Sequence, residues 1–373
     1  MNVITVQGEY EKNQGFHYEY DRDSVPLGEG GMGRIFQGYV VDNASGKYSP
    51  VAIKEIREEV AANPELINRA RRESSVQIDD DHLLRMYGFI PNKEVNPTTG
   101  LNMIRYYMVM ERLVGVDLEH VLSGMTYDKS GIAVMYAQEI YQMYNSDKKS
   151  AVITIMNGLL SGLRALHAHG YIHRDIDPSN IMITLDRKIK LIDYGVSKQI
   201  NSWTSSSGEG TKVGSFIGKV NYAAPELAIG DIPNQSFRTD IYAAGVLLYQ
   251  LYVGHLPFSG TNQEILQSHL TKDIPVKDID DKGIREIVKK ATAKKPDDRY
   301  PSADAMMADL NRLVSPPVSQ TVFEQSETHH MQPQSQSQFN NAGTVEKSFN
   351  YGWLYPIAAI VGLFVGIALK FVL

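Results

Sequence analysis

The strongest constraint on what this chain can fold into is a change of hydrophobic period near residue 150. Upstream, apolar and β-branched residues come in short runs: Ile35–Val41, Val51–Ile56, Leu83–Phe89 and Met103–Met110. The first two are separated by a turn-like stretch, DNASGKYSP. One charged stretch there, Pro64–Gln77, is compatible with a helix. Downstream, long amphipathic runs dominate, at Ser150–His169, Thr239–Tyr252, Ile284–Thr292 and Ala303–Val314. Strands gathered at one end and helices at the other predict an α+β fold in two lobes.

The polar tract Ser315–Lys347, rich in Ser, Gln, Pro and Asn, holds too little apolar surface to offset its ordering entropy and reads as a flexible tether. Beyond it, Leu354 to Leu373 carries one charge, Lys370. These twenty residues would span about 30 Å as a helix, the thickness of a bilayer core. Trp353 and Tyr355 stand where interfacial aromatics belong, Pro356 suits a first turn, and Lys370 can snorkel. The expected organisation is an N-terminal extension over 1–19, a domain over 20–314, a linker over 315–350 and a transmembrane helix over 351–373. The domain divides into an N-lobe of about 20–113 and a C-lobe of about 114–314. The first twenty residues lack a secretory signal pattern.

With 43% apolar and 21% charged residues the chain can bury a full core. A net charge of −6 offers no global basic surface, so nucleic acid is not expected as a partner. The absence of cysteine excludes disulfides, thiol nucleophiles and thiolate metal sites.

Leu27–Ile35 reads LGEGGMGRI and places Gly28, Gly30 and Gly33 in a G-x-G-x-x-G pattern, with Gly31 between them. Glycines let a backbone approach phosphates closely. The pattern also occurs in dinucleotide-binding folds, but there a helix follows it; here the strand-like RIFQGYVV does. Lys54 ends the run Val51-Ala52-Ile53-Lys54, and Glu73 lies 19 residues further on. A lysine oriented by a glutamate can grip the α- and β-phosphates of a nucleotide. His173-Arg174-Asp175-Ile176-Asp177-Pro178-Ser179-Asn180 follows, then Asp193-Tyr194-Gly195 after the strand-like IKLI. Two carboxylates and an amide are what phosphoryl transfer requires: one near the acceptor hydroxyl, the others on Mg²⁺. Ala224-Pro225-Glu226 comes after a Ser/Thr/Gly-rich stretch.

Each motif alone is weak, but in this order the chain resembles a eukaryotic-type (Hanks-type) serine/threonine protein kinase over residues 20–314. The loop LGEGGMGRIF looks most like the bacterial membrane-anchored members. The resemblance implies a bilobal kinase fold and ATP with Mg²⁺, for which Mn²⁺ can substitute. It implies that Asp175 orients the substrate hydroxyl, that Asn180 and Asp193 bind metal, and that Lys54 pairs with Glu73. Ile35, Ala52 and Met182 would sandwich adenine under Leu27 and the glycine loop. Met110 would be the gatekeeper, Glu111 and Leu113 would offer hinge backbone groups, and Asp117 would contact ribose. Asp240 would brace the catalytic loop, and Arg299 would pair with Glu226.

Two positions depart from the family pattern. Asp177 stands where a γ-phosphate-binding lysine is usual, and Lys219 stands where a threonine normally meets the catalytic loop. The exchange suggests that Lys219 supplies the missing cation and pairs with Asp177. Two unrelated drifts, giving a pseudokinase scaffold with weak or no phosphotransfer, are the alternative. A small-molecule phosphotransferase is a third reading, disfavoured by the A-P-E segment and the Glu226/Arg299 pair. Arg174 implies an activation segment ordered by phosphorylation, with Ser215 and then Thr211 as the sites. Gly362 and Gly366 give the C-terminal helix a small-residue face that could form a homodimer. The remaining expectations are protein substrates, and a single-pass protein of a bacterial inner membrane with its kinase domain cytoplasmic, where ATP is. No extracytoplasmic sensor is expected.

Overall fold

The computed structural model describes residues 2–95, 100–193 and 220–314, together with the backbone of 198–199. The described residues belong to one compact unit. Lys219, Thr211, Ser215, the linker over 315–350, the apolar C-terminal segment and its Gly362/Gly366 face lie outside them.

The first lobe contains β1 (Val3–Val6), α1 (Glu9–Gln14), β2 (Phe16–Asp21), β3 (Gly28–Glu29), β4 (Gly33–Asp42), β5 (Tyr48–Ile56), α2 (Glu58–Ala61), α3 (Pro64–Ser74), β6 (Met86–Val95) and β7 (Asn102–Glu111). The strands form one antiparallel sheet in the order β1-β2-β4-β5-β7-β6, with β3 beside β4. The hairpin between β4 and β5 closes on Asp42, whose carboxylate accepts from the Ala44 and Ser45 N–H groups. At the start of α3, Asn63 accepts from Glu65 N–H at 2.9 Å and Pro64 fills the first turn, where no backbone donor is needed.

Residues 1–19, expected as an extension outside the domain, supply a strand of this sheet: β1 pairs with β2 from Val3↔Asp21 to Val6↔Tyr18. The sheet then curls until its outer strands meet through a side chain. Asn92 on β6 accepts from Gln7 N–H at 3.3 Å and donates to Thr5 C=O at 3.0 Å. The enclosed face buries Val6, Tyr18, Tyr20, Phe36, Ile53, Ile90, Tyr107 and Val109 as a core of its own. Short runs of alternating residues show strands but not this closure, because one amide side chain makes it.

The second lobe contains β8 (Gly115–Asp117), α4 (Leu118–Leu122), α5 (Met135–Ser146), α6 (Lys148–Ala168), β9 (Tyr171–Ile172), β10 (Ile181–Thr184), β11 (Ile189–Leu191), β12 (Lys198–Gln199), α7 (Pro225–Ala228), α8 (Phe237–Val253), α9 (Asn262–Thr271), α10 (Lys282–Ala291) and α11 (Ala303–Arg312). Helix α5 has no counterpart in the runs read from sequence; its only fully buried apolar side chains are Ala137 and Ile140, too few to show a clear stripe. Helix α6 is the one described helix long and apolar enough to cross a bilayer, and it is instead the centre of the helical core. Its glycines bring it close to the strands that carry the site. A Cβ on Gly158 would fall 2.5 Å from Ile189, and one on Gly162 would fall 2.6 Å from the His82 carbonyl.

Candidate active site

A cleft of about 500 Å³ lies between the strand-rich and helical lobes. Its roof is β3, β4 and β5, through Leu27, Gly28, Ile35, Ala52 and Lys54. Lys54 sits opposite Ile35 on one side and Met108 on the other, so the sheet fixes its direction. The floor is Met182 on β10, which pairs with Asp117 on β8. The rear wall is the chain leaving β7, Met110, Glu111 and Leu113. Lys190 Nζ holds both oxygens of Glu111 at 2.9 Å, and Glu111 N–H donates to Arg85 C=O at 2.9 Å. The Glu111 side chain is thereby committed to a bridge between β7 and β11.

Three charged groups meet at the inner end. Glu73 comes from α3, Lys54 from β5 and Asp193 from the segment after β11. Burial pushes the Glu73 carboxyl up to about 7, with Lys54 and Arg69 pulling it down and Asp193 pushing it up by charge and by competing for the same proton. Oε2 of Glu73 is buried without a hydrogen-bond partner among the described residues. No contact within 4.0 Å joins Lys54 to Glu73 among them, so the ammonium acts on this carboxylate through charge and not through a closed ion pair. An uncommitted buried carboxylate oxygen of this kind suits a site completed by a charged ligand.

The loop after β9 is held from below. Asp240 on α8, fully buried, accepts from His173 N–H at 2.9 Å, Arg174 N–H at 2.8 Å and His167 Nε2 at 2.8 Å. Burial alone would raise its pKa, but these donors hold the carboxyl below the usual carboxylate range. So fixed, the loop presents Asp175 toward Asn180, whose Nδ2 donates to the Asp175 carbonyl at 2.8 Å and carboxylate at 3.2 Å. That use of the amide nitrogen leaves Oδ1 as the oxygen of Asn180 with the chemistry to coordinate a cation. Ile192 N–H donates to Asn180 C=O at 2.9 Å, joining this loop to the chain that carries Asp193. Arg174 and Asp193 both hold left-handed backbone, at φ 68° and 61°, a costly conformation for a side-chain-bearing residue that the surrounding bonds must maintain.

Asp177 does not project its charge into the cleft. It is fully buried and caps the turn Pro178–Asn180, accepting from Ser179 N–H at 2.7 Å, Ser179 Oγ at 2.6 Å and Asn180 Nδ2 at 3.3 Å. Arg174 is the opposite case. Burial pulls its guanidinium down to about 10 against the charge of Asp240, and its Nε and Nη2 have no partner among the described residues. Arg299 and Glu226 meet as a buried bidentate pair at 2.7 and 2.9 Å, with Thr239 adding a hydroxyl donor at 2.8 Å.

The glycines divide. Gly28 lines the cleft, whereas Gly30 and Gly31 stand at the exposed turn between β3 and β4 and do not. Gly33 is buried against β5, where a Cβ would fall 2.1 Å from Glu55 C=O; sheet packing alone requires a glycine there. Unforeseen from the sequence are Leu84, Arg112 and a segment over 125–130 that lines the mouth of the cleft. Nothing in that segment repeats or alternates, so only its position marks it.

The protein kinase domain model matches residues 22–310. The chain is 30% identical over 330 residues to the probable serine/threonine-protein kinase PknB of Corynebacterium glutamicum, covering 86% of this chain and 46% of that protein. It is 28% identical over 295 residues to the serine/threonine-protein kinase PrkC of Bacillus subtilis, covering 76% and 39%. Against the serine/threonine-protein kinase PknL of Mycobacterium tuberculosis it is 36% identical over 168 residues, 44% of this chain and 40% of that one. The chain spans less than half the length of these curated relatives.

Proposed function

The chain belongs to the protein kinase domain family, and on that premise we propose that it is an ATP-dependent protein kinase acting on serine and threonine hydroxyls. The observation that carries this reading is the convergence of Lys54, Glu73 and Asp193 at the inner end of the cleft, with Asp175 and Asn180 hydrogen-bonded beside it. The adenine ring would lie between Ile35 and Ala52 above and Met182 below, against the backbone of Glu111 and Leu113. Asp117 would face the ribose, although its carboxylate already caps α4 and bonds His120 at 2.7 Å. Lys54 would hold the α- and β-phosphates, drawn toward Glu73. Mg²⁺, or Mn²⁺ in its place, would be held by Asp193 and Asn180 and would neutralise charge on the phosphate oxygens. Mg²⁺ needs few protein ligands beside phosphate, so this sparse donor set fits it. Asp175 would accept the proton of the substrate hydroxyl as its oxygen bonds to the γ-phosphorus and the bond to the β–γ bridging oxygen breaks, releasing ADP.

The buried, underbonded guanidinium of Arg174 supports regulation by phosphorylation, since a phosphate on Ser215 or Thr211 would supply its missing acceptors. Lys219 would pair with Asp177 and put a cation near the transferring phosphate. The apolar segment Leu354–Leu373 would anchor the chain in the bacterial inner membrane with the kinase cytoplasmic, and Gly362 and Gly366 would favour a homodimer able to phosphorylate in trans.

One experiment addresses these points. The full chain is expressed, membranes are separated, and both fractions are incubated with radiolabelled ATP and Mg²⁺. Label should accumulate on the chain in the membrane fraction, on serine and threonine including Ser215 or Thr211, and Asp175→Asn should abolish it. Label equal in both proteins, or none in a wild-type chain that still binds ATP, would replace the kinase reading with a nucleotide-binding scaffold.

A further inference from the structure

The segment between α4 and α5 is a small hairpin at the mouth of the cleft. Tyr127 bridges Ala133, Val134 N–H donates to Thr126 C=O at 2.9 Å, and Asp128 N–H donates to Ile132 C=O at 2.8 Å. The Asp128 carboxylate closes the turn by accepting from Ser130 N–H at 2.9 Å and Ile132 N–H at 2.8 Å. The tip is therefore built, and its position follows from the fold. That tip, Asp128-Lys129-Ser130, lines the cleft together with Met125 and Tyr127.

Lys129 reaches from the helical lobe to the glycine loop. Its Nζ lies 3.8 Å from the point a Cβ on Gly28 would occupy. Gly28 pairs with Ile35, and directly opposed residues share one face of a sheet. The face of Ile35 is the roof of the cleft, so the ammonium stands inside the mouth and not on the outer surface. Two further observations point to a ligand. Met125 and Tyr127 remain 51% and 64% exposed beside it, apolar surface that a bound nucleotide would cover. Among the described lining residues the lysines and arginines are Lys54, Arg112 and Lys129, against five carboxylates. Arg112 donates to Leu113 C=O, whereas Lys129 makes no hydrogen bond or ion pair among the described residues. A polyphosphate entering this cleft needs cations, and Asp177 supplies none.

We infer that Lys129 is a nucleotide-positioning residue, its ammonium binding the phosphate chain of ATP or ADP, and that its hairpin straps the helical lobe to the glycine loop over bound nucleotide. This rests on the cleft being the nucleotide site. The contact is made to phosphate and lies at the solvent edge, so it acts on ligands in proportion to their charge.

Calorimetric titration of the full chain with adenosine, ADP and ATP tests it, using Lys129→Ala, Lys129→Arg and Lys129→Glu. Lys129→Ala should weaken ADP and ATP about fivefold to tenfold, the scale of one charge-assisted hydrogen bond at an exposed site. Lys129→Glu should weaken them more, Lys129→Arg should restore them, and adenosine affinity should stay constant throughout. The loss should shrink in high salt. Unchanged ADP affinity in Lys129→Ala overturns the inference. So does an equal loss for adenosine, which would assign the residue to packing. A wild-type chain that binds neither ADP nor ATP overturns the nucleotide site itself, and the role of Lys129 with it.

Discussion

Asp177 illustrates how far a single residue can be read from its type. A carboxylate facing the γ-phosphate would repel it; the structure turns this one inward, where Ser179 and Asn180 satisfy it. Its cap role and its proposed pairing with Lys219 can be separated. Asp177→Asn keeps the oxygen that accepts from Ser179, removes the charge, and puts an amide nitrogen where Oδ2 accepts the long 3.3 Å bond from Asn180. It should cost about 1 kcal/mol or less of stability in a urea melt, since the cap survives. Its phosphotransfer rate should fall by about tenfold if the charge positions Lys219, on the scale of one lost charge-assisted contact. The double change Asp177→Lys with Lys219→Thr should then outperform Asp177→Lys alone. A wild-type rate in Asp177→Asn would leave the carboxylate as a cap and nothing more.

Among elements, the strand-rich lobe departs most from its sequence reading. Strand positions were legible because short apolar and β-branched runs mark buried strands: the runs at Val51–Ile56 and Met103–Met110 fall within β5 and β7. The inclusion of β1 was not, because four residues, VITV, carry no period. What holds β1 is its ladder to β2 and the two hydrogen bonds of Asn92, a residue only 7% exposed. Asn92→Ala should therefore destabilise the chain by about 1 kcal/mol, the net worth of hydrogen bonds to part-buried backbone groups. Hydrogen exchange should show Gln7 and the β1 amides losing protection before those of β5 and β7. Uniform loss across the sheet would mean that β1 is not held separately by this side chain.

The whole molecule couples its helical core to pH through His269. This fully buried residue of α9 donates from Nε2 to Asn221 C=O at 2.9 Å, which leaves Nδ1 to accept from Tyr242 O–H at 2.9 Å. Burial pulls its pKa down to about 4; the bond to Asn221 opposes this and the nearby Lys294 adds to it. The unfolded chain therefore binds the proton more readily, and stability is lost as pH falls from about 6.5 toward about 4. The loss from this one group is on the order of 3 kcal/mol at its acid limit. Urea melts of wild type and His269→Gln across that window should diverge by this amount, carboxylate titration being common to both. Parallel curves would mean that His269 titrates as it does in the unfolded chain.

The sequence by itself determined the class of fold and the candidate site residues, because both depend on residue type at a fixed spacing along the chain. Strand-like runs followed by amphipathic helices gave two lobes. Lys54, Glu73, Asp175, Asn180 and Asp193 could be singled out as candidates one by one, because each stands in a short local motif. The tertiary structure alone decided how those residues stand to one another: Glu73 raised beside Asp193 with one oxygen unbonded, Asp177 turned into a cap, Gly33 committed to sheet packing. It alone brought β1 to β6 through Asn92 and Lys129 to Gly28. Those contacts join residues far apart in the chain through single side chains, and a contact of that kind leaves no period and no spacing behind. The change of period near residue 150 marks where the two lobes differ in kind, and the cleft where they face each other exists only once both have folded.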